Sequence, residues 1–246
     1  MAAFLSDAHF PQILMAARQA ERIMRVQDLY SRYTSLEFTN AFDRPYAIDG
    51  LQARILTALR SQGGFGMLDE GSGKKGLLRR SLLWRRADDT PRLERVVFPA
   101  ARAISAVPSW SWMAYSGAIA YISPEFGTVG WEEMQSPWFG GLQPALSEGQ
   151  GGNIALMAQA REYDPLKAKP GEDQELVFDT PGLSEQPETL CVVLGKEAGS
   201  RQKAYLILVR ATTTRDRIGR KIYERVGAGY LPWSCIGEVN DRITIH

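Results

Sequence analysis

The last third of the chain carries a succession of short segments rich in β-branched and aromatic residues, separated by turn-forming residues. This pattern predicts strands, and we place them at 154–163, 175–178, 189–194, 204–211, 222–230 and 243–245. Residues 204–209 are almost continuously apolar, which is typical of a central strand covered on both faces. The close spacing of the three segments from 189 to 230 predicts an antiparallel meander.

Apolar residues at three- and four-residue spacing predict an amphipathic helix over residues 11–30. Its predicted apolar face consists of Ile13, Leu14, Ala17, Ala20, Ile23, Met24 and Gln27. Pro11 suits the first turn, with Ser6 or Asp7 as the cap. We therefore expect the chain to begin with a helical region.

Two further helices are predicted from Pro45 to Arg60, stopped by Gly63 and Gly64, and from about Gly76 to Arg85. A strand is predicted at 118–122, and the aromatic residues within 123–152 indicate an ordered irregular loop. The expected fold class is α+β, a single domain over residues 1–246. Its helical N-terminal third, about 1–88, packs on a mainly antiparallel sheet or barrel-like part, about 105–246.

Histidine is scarce, and this excludes several kinds of site. The only two, His9 and His246, lie at opposite ends of the chain. Zinc sites and Ser-His-Asp machinery need imidazoles held rigidly near other groups, so we expect neither. No glycine-rich nucleotide motif of the Gly-x-Gly-x-x-Gly type occurs, and no cofactor or metal is predicted.

Composition limits the compartment and the partners. The charges of the 29 basic and 28 acidic side chains nearly cancel. No overall electrostatic attraction to nucleic acid or to an anionic membrane is therefore expected. No apolar run is long enough to span a bilayer, and the N-terminus lacks a signal-peptide layout. Cys191 and Cys235 lie in strand-like contexts, which favours reduced thiols and a cytoplasmic location.

Charge is distributed unevenly along the chain. Residues 74–95 contain eight basic and three acidic side chains, whereas residues 147–188 contain nine acidic and three basic ones. The basic stretch could present an anion-binding face, or the two stretches could attract each other across the fold. The second interpretation is favoured because the basic stretch lacks interleaved aromatic residues for base stacking.

One polar cluster precedes the second predicted helix. It contains Tyr30, Thr39, Asp43 and Arg44. Asp43 can cap the helix through its free N–H groups, or the adjacent acid and cation can face a ligand. Residue chemistry alone favours the capping role.

The second cluster is the segment Pro-Ser-Trp-Ser-Trp at 108–112, followed by Tyr115 and Ser116. Alternation in an extended chain would place Trp110 and Trp112 on one face and the two serines on the other. The indoles can wall an apolar pocket or plug the core, and the residues leave both alternatives open.

Taken in order, these motifs resemble the region that follows the heterokaryon-incompatibility (HET) domain in fungal HET-domain proteins. The resemblance is carried by Tyr30-Ser31, Thr39, Asp43-Arg44, Ala47-Ile-Asp-Gly50, Leu82-Leu83-Trp84, residues 108–112, Gly117, Tyr121 and the closing segments at 192–195, 205–210 and 223–227. It spans nearly the whole chain and implies a stand-alone form of this region without the HET domain. Pro45 stands where the family has leucine, and residues 113–116 replace its usual small pair. In the family, the induction of cell death is linked to the HET domain, so the resemblance does not imply this function for the present chain.

Two functions are expected from the resemblance and the residues together. The first is a cofactor-independent enzyme of the cyclase, isomerase or dehydratase type, which acts on a small apolar organic molecule in fungal secondary metabolism. Its catalytic residues would be Asp43, Arg44 and Tyr46, with a substrate site formed by Tyr30, Trp84, Trp110, Trp112, Tyr115 and Ser116. The alternative is a non-catalytic binding or regulatory module related to heterokaryon incompatibility, in which the same residues are structural.

Overall fold

The C-terminal half is built around a ring of five β-strands in the computed structural model. The model describes residues 18–36, 38–71, 76–98, 107–138, 154–182, 188–199, 202–216 and 218–246. The ring strands are β8 (Leu156–Tyr163), β10 (Thr189–Glu197), β11 (Lys203–Arg215), β12 (Lys221–Pro232) and β13 (Ile236–Ile245). They pair in the order β8–β10–β11–β12–β13, and β13 returns to β8.

Most pairings in this ring are antiparallel, and only β12 and β13 meet in parallel over two residues. Two further strands extend it: β7 (Val129–Trp131) pairs with the end of β10, and β9 (Glu175–Phe178) pairs with the second half of β12. The predicted antiparallel meander of β10, β11 and β12 is confirmed. The last predicted strand is much longer than 243–245, because its first half also pairs with β8.

Three helices precede the ring in the described residues: α1 (Gln19–Thr34), α2 (Arg44–Leu59) and α3 (Leu77–Leu82). The predicted cap and first turn of the first helix lie outside the described residues, and its end lies four residues later than predicted. Met24, predicted to be buried, is 54% exposed. Helix α2 ends at Arg60 in a left-handed conformation, not at the glycine pair, which lies in β1 (Gln62–Gly64).

Short strands connect the helices to the ring. β1 pairs with β2 (Met67–Asp69), and β3 (Trp84–Arg86) pairs with β6 (Ile119–Tyr121). β4 (Glu94–Arg95) pairs with β5 (Tyr115–Ser116). The third helix is therefore shorter than predicted, because Trp84 already belongs to a strand. The segment predicted as an irregular loop contains β7, and its part from 139 to 152 lies outside the described residues.

Strand β11 has its apolar side chains buried on both faces, as the run at 204–209 predicts. Tyr205, Ile207 and Val209 join the larger core cluster, which also contains side chains of α1, α2 and α3. Leu206 and Leu208 join a second, smaller cluster that includes Cys191 and Cys235. Both cysteines are free thiols. The architecture is α+β with a mainly antiparallel sheet.

The basic and acidic stretches meet each other, as the favoured interpretation of their charges predicts. Arg85 Nε lies 3.4 Å from a carboxylate oxygen of Glu175. The neighbouring Arg86 donates to the carbonyl oxygen of Phe178 at 3.2 Å. These contacts join β3 to β9, the outer strand beside the ring. Among the described helices, none combines the length and apolar character that a membrane span requires.

Candidate functional site

The segment 108–112 folds as a turn that leads into a short 3-10 helix at Trp112–Ala114, not as an extended strand. The predicted alternation of faces is therefore wrong. Ser109 Oγ accepts the N–H of Arg225 at 2.9 Å and donates to the carbonyl oxygen of His246. Ser111 Oγ donates to the carbonyl oxygen of Phe65 at 2.6 Å and caps the 3-10 helix. The serines fix the turn, and the indoles diverge from it.

Trp84, Trp110 and Trp112 are fully buried. The Trp112 ring lies 5.2 Å from the Tyr30 ring, and the Trp110 ring meets Trp138 edge-to-face at 5.9 Å. Trp84 donates its indole N–H to the carbonyl oxygen of Trp110 at 2.9 Å. All three indoles belong to the main core cluster. A ligand beside them would be enclosed by protein.

Arg44 enters this core from the first turn of α2 and is only 3% exposed. Its guanidinium donates to the carbonyl oxygens of Tyr115 at 2.8 Å and Gly117 at 3.2 Å, and lies 5.8 Å from the centre of the Trp112 ring. Among the described residues, its Nε has no hydrogen-bond partner. Burial lowers the pKa of Arg44 to about 10, and Tyr33 partly opposes this shift. Arg44 thus remains a buried cation at neutral pH.

Tyr30 and Tyr33 lie three residues apart on α1 and so share one face of the helix. The Tyr33 hydroxyl donates to the carbonyl oxygen of Arg44 at 2.6 Å. The Tyr30 hydroxyl, by contrast, has no partner among the described residues, although its side chain is 1% exposed. Burial raises the pKa of Tyr30, so its O–H proton is retained. Sequence reasoning missed Tyr33, although the three-residue spacing from Tyr30 was available as a signal.

A buried ion pair lies on the ring side of the same core. Arg225 Nη1 lies 2.8 Å from Asp179 Oδ2, and both side chains are almost fully buried. The guanidinium carbon lies 3.1 Å from the centre of the Trp84 ring, and Nη2 donates to the carbonyl oxygen of Trp84. The Tyr115 hydroxyl donates to the carbonyl oxygen of Arg225 at 3.2 Å. Burial raises the pKa of Asp179, although Arg225 opposes the shift.

Sequence reasoning missed Asp179 and Arg225. Each is a charged residue at the end of, or within, a mainly apolar strand segment, and this is the only signal that the sequence offers. The distance of 46 positions between them gives no reason to pair them. Only the adjacency of β9 and β12 brings them together.

The structure does not bring every predicted site residue into this core. Asp43 is half-buried at the N-cap position of α2 but makes no side-chain capping hydrogen bond, so the favoured capping role is wrong. Its carboxylate accepts a long hydrogen bond from Asn40 at 3.4 Å. Tyr46 is 36% exposed, and Ser116 is half-buried in the β4–β5 pair. Trp84, Trp112 and Tyr115 do contact Arg44 or Arg225, and Tyr30 packs against Trp112.

The core is rich in hydrogen-bond donors that lack acceptors. Among the described residues, the buried atoms without a partner include Arg44 Nε, Trp110 Nε1, Trp138 Nε1 and Arg225 Nε, which can only donate, and the Tyr30 hydroxyl. Such groups are uncommon in native proteins and call for a bound water, a ligand or a chemical role. The described residues contain no cluster of histidine, cysteine and carboxylate groups that could hold a metal ion.

Gly66 provides a direct test of how tightly Trp112 is held. Gly66 has φ +77°, and a Cβ atom there would lie 2.2 Å from Trp112 Nε1. Gly71 has a similar φ of +85° but open space around its Cβ position. We expect Gly66→Ala to lower the free energy of unfolding by about 1–3 kcal/mol more than Gly71→Ala, because only the first adds an overpacked contact to the backbone strain. Urea unfolding of the two variants measures the difference, and equal losses would show that Trp112 can move aside.

Comparison with protein-family models, with curated proteins and with solved structures finds no match to this chain.

Proposed function

We propose that the protein is a cofactor-independent enzyme that acts on a small apolar organic molecule by non-redox acid–base chemistry, as a cyclase, isomerase or dehydratase of fungal secondary metabolism. The proposal includes a relationship to the region that follows the HET domain. The support for this relationship is the order in which the motifs from Tyr30 to Trp112 occur along the chain. It also takes the helical part to be packed on the ring, which the shared core cluster supports.

One observation carries the proposal. Two polar groups named from the sequence, the Tyr30 hydroxyl and Arg44 Nε, have no partner among the described residues and belong to side chains that flank the same indole, Trp112. A buried unpaired donor costs about 1–3 kcal/mol of stability, and proteins keep such groups mainly where they serve a purpose. An apolar enclosure with a few placed donors is the usual form of a small-molecule site.

The roles of the residues change with the geometry. The sequence predicts catalytic roles for Asp43, Arg44 and Tyr46, but the Asp43 carboxylate lies at the half-buried start of α2 and Tyr46 is 36% exposed. The proposal moves the proton-donating role to the Tyr30 hydroxyl, because burial keeps it protonated beside the aromatic walls. Arg44 stabilises negative charge that develops on the substrate, and Trp112 forms one wall.

Tyr30→Phe tests the assignment, with Tyr46→Phe as the matched control. Tyr30→Phe removes a buried hydroxyl that has no hydrogen-bond partner in the described part of the chain, whereas Tyr46→Phe removes a hydroxyl from a partly exposed side chain. We expect Tyr30→Phe to lower turnover roughly 100-fold, because general acids contribute about 10²–10⁴-fold. It should leave the protein at least as stable as the parent, because no hydrogen bond is lost. Tyr46→Phe should keep turnover within about twofold.

The measurement is co-incubation with a panel of candidate metabolites followed by mass spectrometry, with thermal unfolding of each variant alongside. Asp43→Asn is included in the same panel and is expected to retain most of the turnover. Unchanged turnover in Tyr30→Phe would contradict the role given to this hydroxyl. A loss of stability in Tyr30→Phe would show that the hydroxyl has a structural partner.

A second candidate function is a non-catalytic binding or regulatory module related to heterokaryon incompatibility. The full burial of Trp84, Trp110 and Trp112 favours it, because these side chains then need no role beyond packing. The two backbone carbonyls bound by Arg44 also fit a purely structural tie between α2 and β5. This function predicts that no member of the metabolite panel is converted and that Tyr30→Phe behaves as the parent in every assay.

A further inference from the structure

The hairpin that joins β11 to β12 projects beyond the rest of the ring. β10 pairs with β11 only as far as Arg210, and β13 pairs with β12 only at Ile222 and Tyr223. Between these points, residues 211–221 pair only with one another in the described part of the chain. At about 3.3 Å per residue, the strands of this projecting hairpin, residues 211–221, extend roughly 15 Å past the last pairing with β10.

The projecting hairpin is strongly basic. It contains Arg215, Arg217, Arg220 and Lys221 but only one acidic residue, Asp216. The whole chain has a net charge of +1, so the remaining residues together are slightly negative. Arg215, Arg220 and Lys221 are exposed, and none of them takes part in an ion pair among the described residues. The near-neutral total therefore conceals a local positive charge at this end of the molecule.

The apex of this hairpin holds an apolar side chain in solvent. Ile218 is 71% exposed. The turn around it is fixed by Asp216, whose Oδ1 accepts the N–H groups of Ile218 at 3.0 Å and of Arg220 at 2.8 Å. Arg215 Nη1 also donates to the carbonyl oxygen of Gly219 at 2.8 Å. Because these bonds hold the turn, Ile218 is presented to solvent together with the cations on both strands.

Another exposed apolar side chain, Leu166, shows what is particular to Ile218. Leu166 is 93% exposed, and single exposed apolar side chains are common on protein surfaces. Its segment, residues 162–173, contains four acidic and two basic side chains. Ile218, by contrast, combines an exposed aliphatic group with an excess of positive charge.

We infer that the projecting hairpin docks on the anionic surface of a lipid bilayer. In this arrangement Ile218 enters the boundary between head groups and acyl chains, and Arg215, Arg220 and Lys221 lie beside the negative head groups. A nucleic acid fits less well, because residues 211–221 contain no aromatic side chain for base stacking and a phosphate backbone leaves Ile218 in water. The association is peripheral, needs no membrane-spanning segment and does not depend on the proposed enzymatic function.

Binding is expected to be weak and reversible. Each cation near an anionic bilayer raises the affinity about fivefold, and an inserted isoleucine raises it roughly a further tenfold. The expected molar partition coefficient is on the order of 10³ M⁻¹, below the value of about 10⁴ M⁻¹ for a single myristoyl chain. Co-sedimentation of the full chain with vesicles measures it, using phosphatidylcholine alone and phosphatidylcholine with about one third phosphatidylserine. We expect binding only to the anionic vesicles at about 0.1 M salt, and its loss at about 0.5 M salt, where the charges are screened.

Two variants of the hairpin separate the contributions of charge and insertion. Arg220→Gln/Lys221→Gln should weaken binding to the anionic vesicles about 20-fold, because two cations are lost. Ile218→Asn should weaken it about tenfold, because the inserted apolar group is lost while every charge is kept. All three side chains are exposed, so the fold is expected to be unaffected.

Matched controls change the same kinds of side chain elsewhere on the surface. Arg25→Gln/Arg32→Gln removes two exposed cations of α1, and Leu166→Asn removes the other exposed aliphatic group. Both controls should keep the affinity within about twofold, since neither touches the hairpin. Ile218→Trp reports insertion directly, because its fluorescence should shift to shorter wavelength on anionic vesicles. The fluorescence of Leu166→Trp should not shift.

Three results would each overturn the inference: equal or no binding to the two kinds of vesicle, unchanged binding in Ile218→Asn, or an equal loss in the α1 control and in Arg220→Gln/Lys221→Gln. Tighter binding of a short DNA duplex or of polyglutamate, without dependence on Ile218, would assign the hairpin to another polyanion and also overturn it. Salt-sensitive binding to anionic vesicles, with the expected losses in both hairpin variants and the spectral shift of Ile218→Trp, supports the inference whether or not any metabolite is converted.

Discussion

Asp179→Ala is expected to lower the free energy of unfolding by about 3–5 kcal/mol. The substitution removes the carboxylate that compensates Arg225 and leaves a guanidinium buried without a counter-charge. For a chain of this length, such a loss lowers the melting temperature by roughly 10 °C. Urea unfolding followed by circular dichroism measures the change.

Glu224→Ala is the matched control for Asp179→Ala. It breaks a pair of similar length, Arg210 Nη2 to Glu224 Oε1 at 2.9 Å, but both side chains are partly exposed. Exposed pairs contribute about 1 kcal/mol or less, so the control should be nearly neutral. The double variant Asp179→Leu/Arg225→Met should recover much of the stability, because apolar residues replace both buried charges. Equal losses in Asp179→Ala and Glu224→Ala would contradict the role of the buried pair.

Trp112→Ala is expected to lower the free energy of unfolding by about 3–5 kcal/mol, which is the range for truncating a large aromatic residue in a packed core. The indole is fully buried, and it contacts Tyr30 and Tyr33 through their rings and Gly66 through a hydrogen bond at 3.3 Å. Loss of near-ultraviolet circular dichroism and a lower urea midpoint would report the cavity.

Trp233→Ala is the control for this substitution, because Trp233 is only half-buried and lies beneath two cations, Lys196 at 4.0 Å and Arg161 at 5.5 Å. Trp233→Ala should lower the free energy of unfolding by less than half as much as Trp112→Ala. Less buried apolar surface is removed, and the cation contacts contribute about 1 kcal/mol or less. If the two substitutions lowered the free energy of unfolding equally, the surroundings of Trp112 would have to be loosely packed or able to collapse into the cavity.

The strands could be predicted far better than the ends of the helices. The apolar run at 204–209 and the turn-forming residues on each side of it sufficed to predict a strand that is covered on both faces and paired in a meander. Helix ends depend on local geometry that the pattern does not contain. Arg60 ends α2 in a left-handed conformation that glycine would adopt more easily, so the glycine pair that begins three residues later predicted the wrong end of the helix.

The structure brings together only some of the residues predicted to form a site, and the reason is geometric. Tyr30 and Arg44 both contact Trp112, because α1 and α2 place these side chains against the 3-10 helix after Ser111, and Arg44 also binds the carbonyl oxygen of Tyr115. Adjacent residues of a helix point in different directions, so Arg44 enters the core while Asp43 stays at the half-buried helix start. Adjacency in sequence therefore suggested an acid–cation pair that the fold separates.

Residue patterns alone determined the α+β class, the meander and the buried character of β11, because burial on one or both faces of a strand imposes a short-range period on the sequence. They also determined that the available chemistry is that of carboxylate, tyrosine, arginine and indole groups, since histidine is almost absent. Only the tertiary structure decided which of these groups meet. It paired Asp179 with Arg225 across two strands, and among the described residues it left Arg44 Nε and the Tyr30 hydroxyl without an acceptor. Such pairings depend on which elements pack together over long separations, and no local period of the sequence records them.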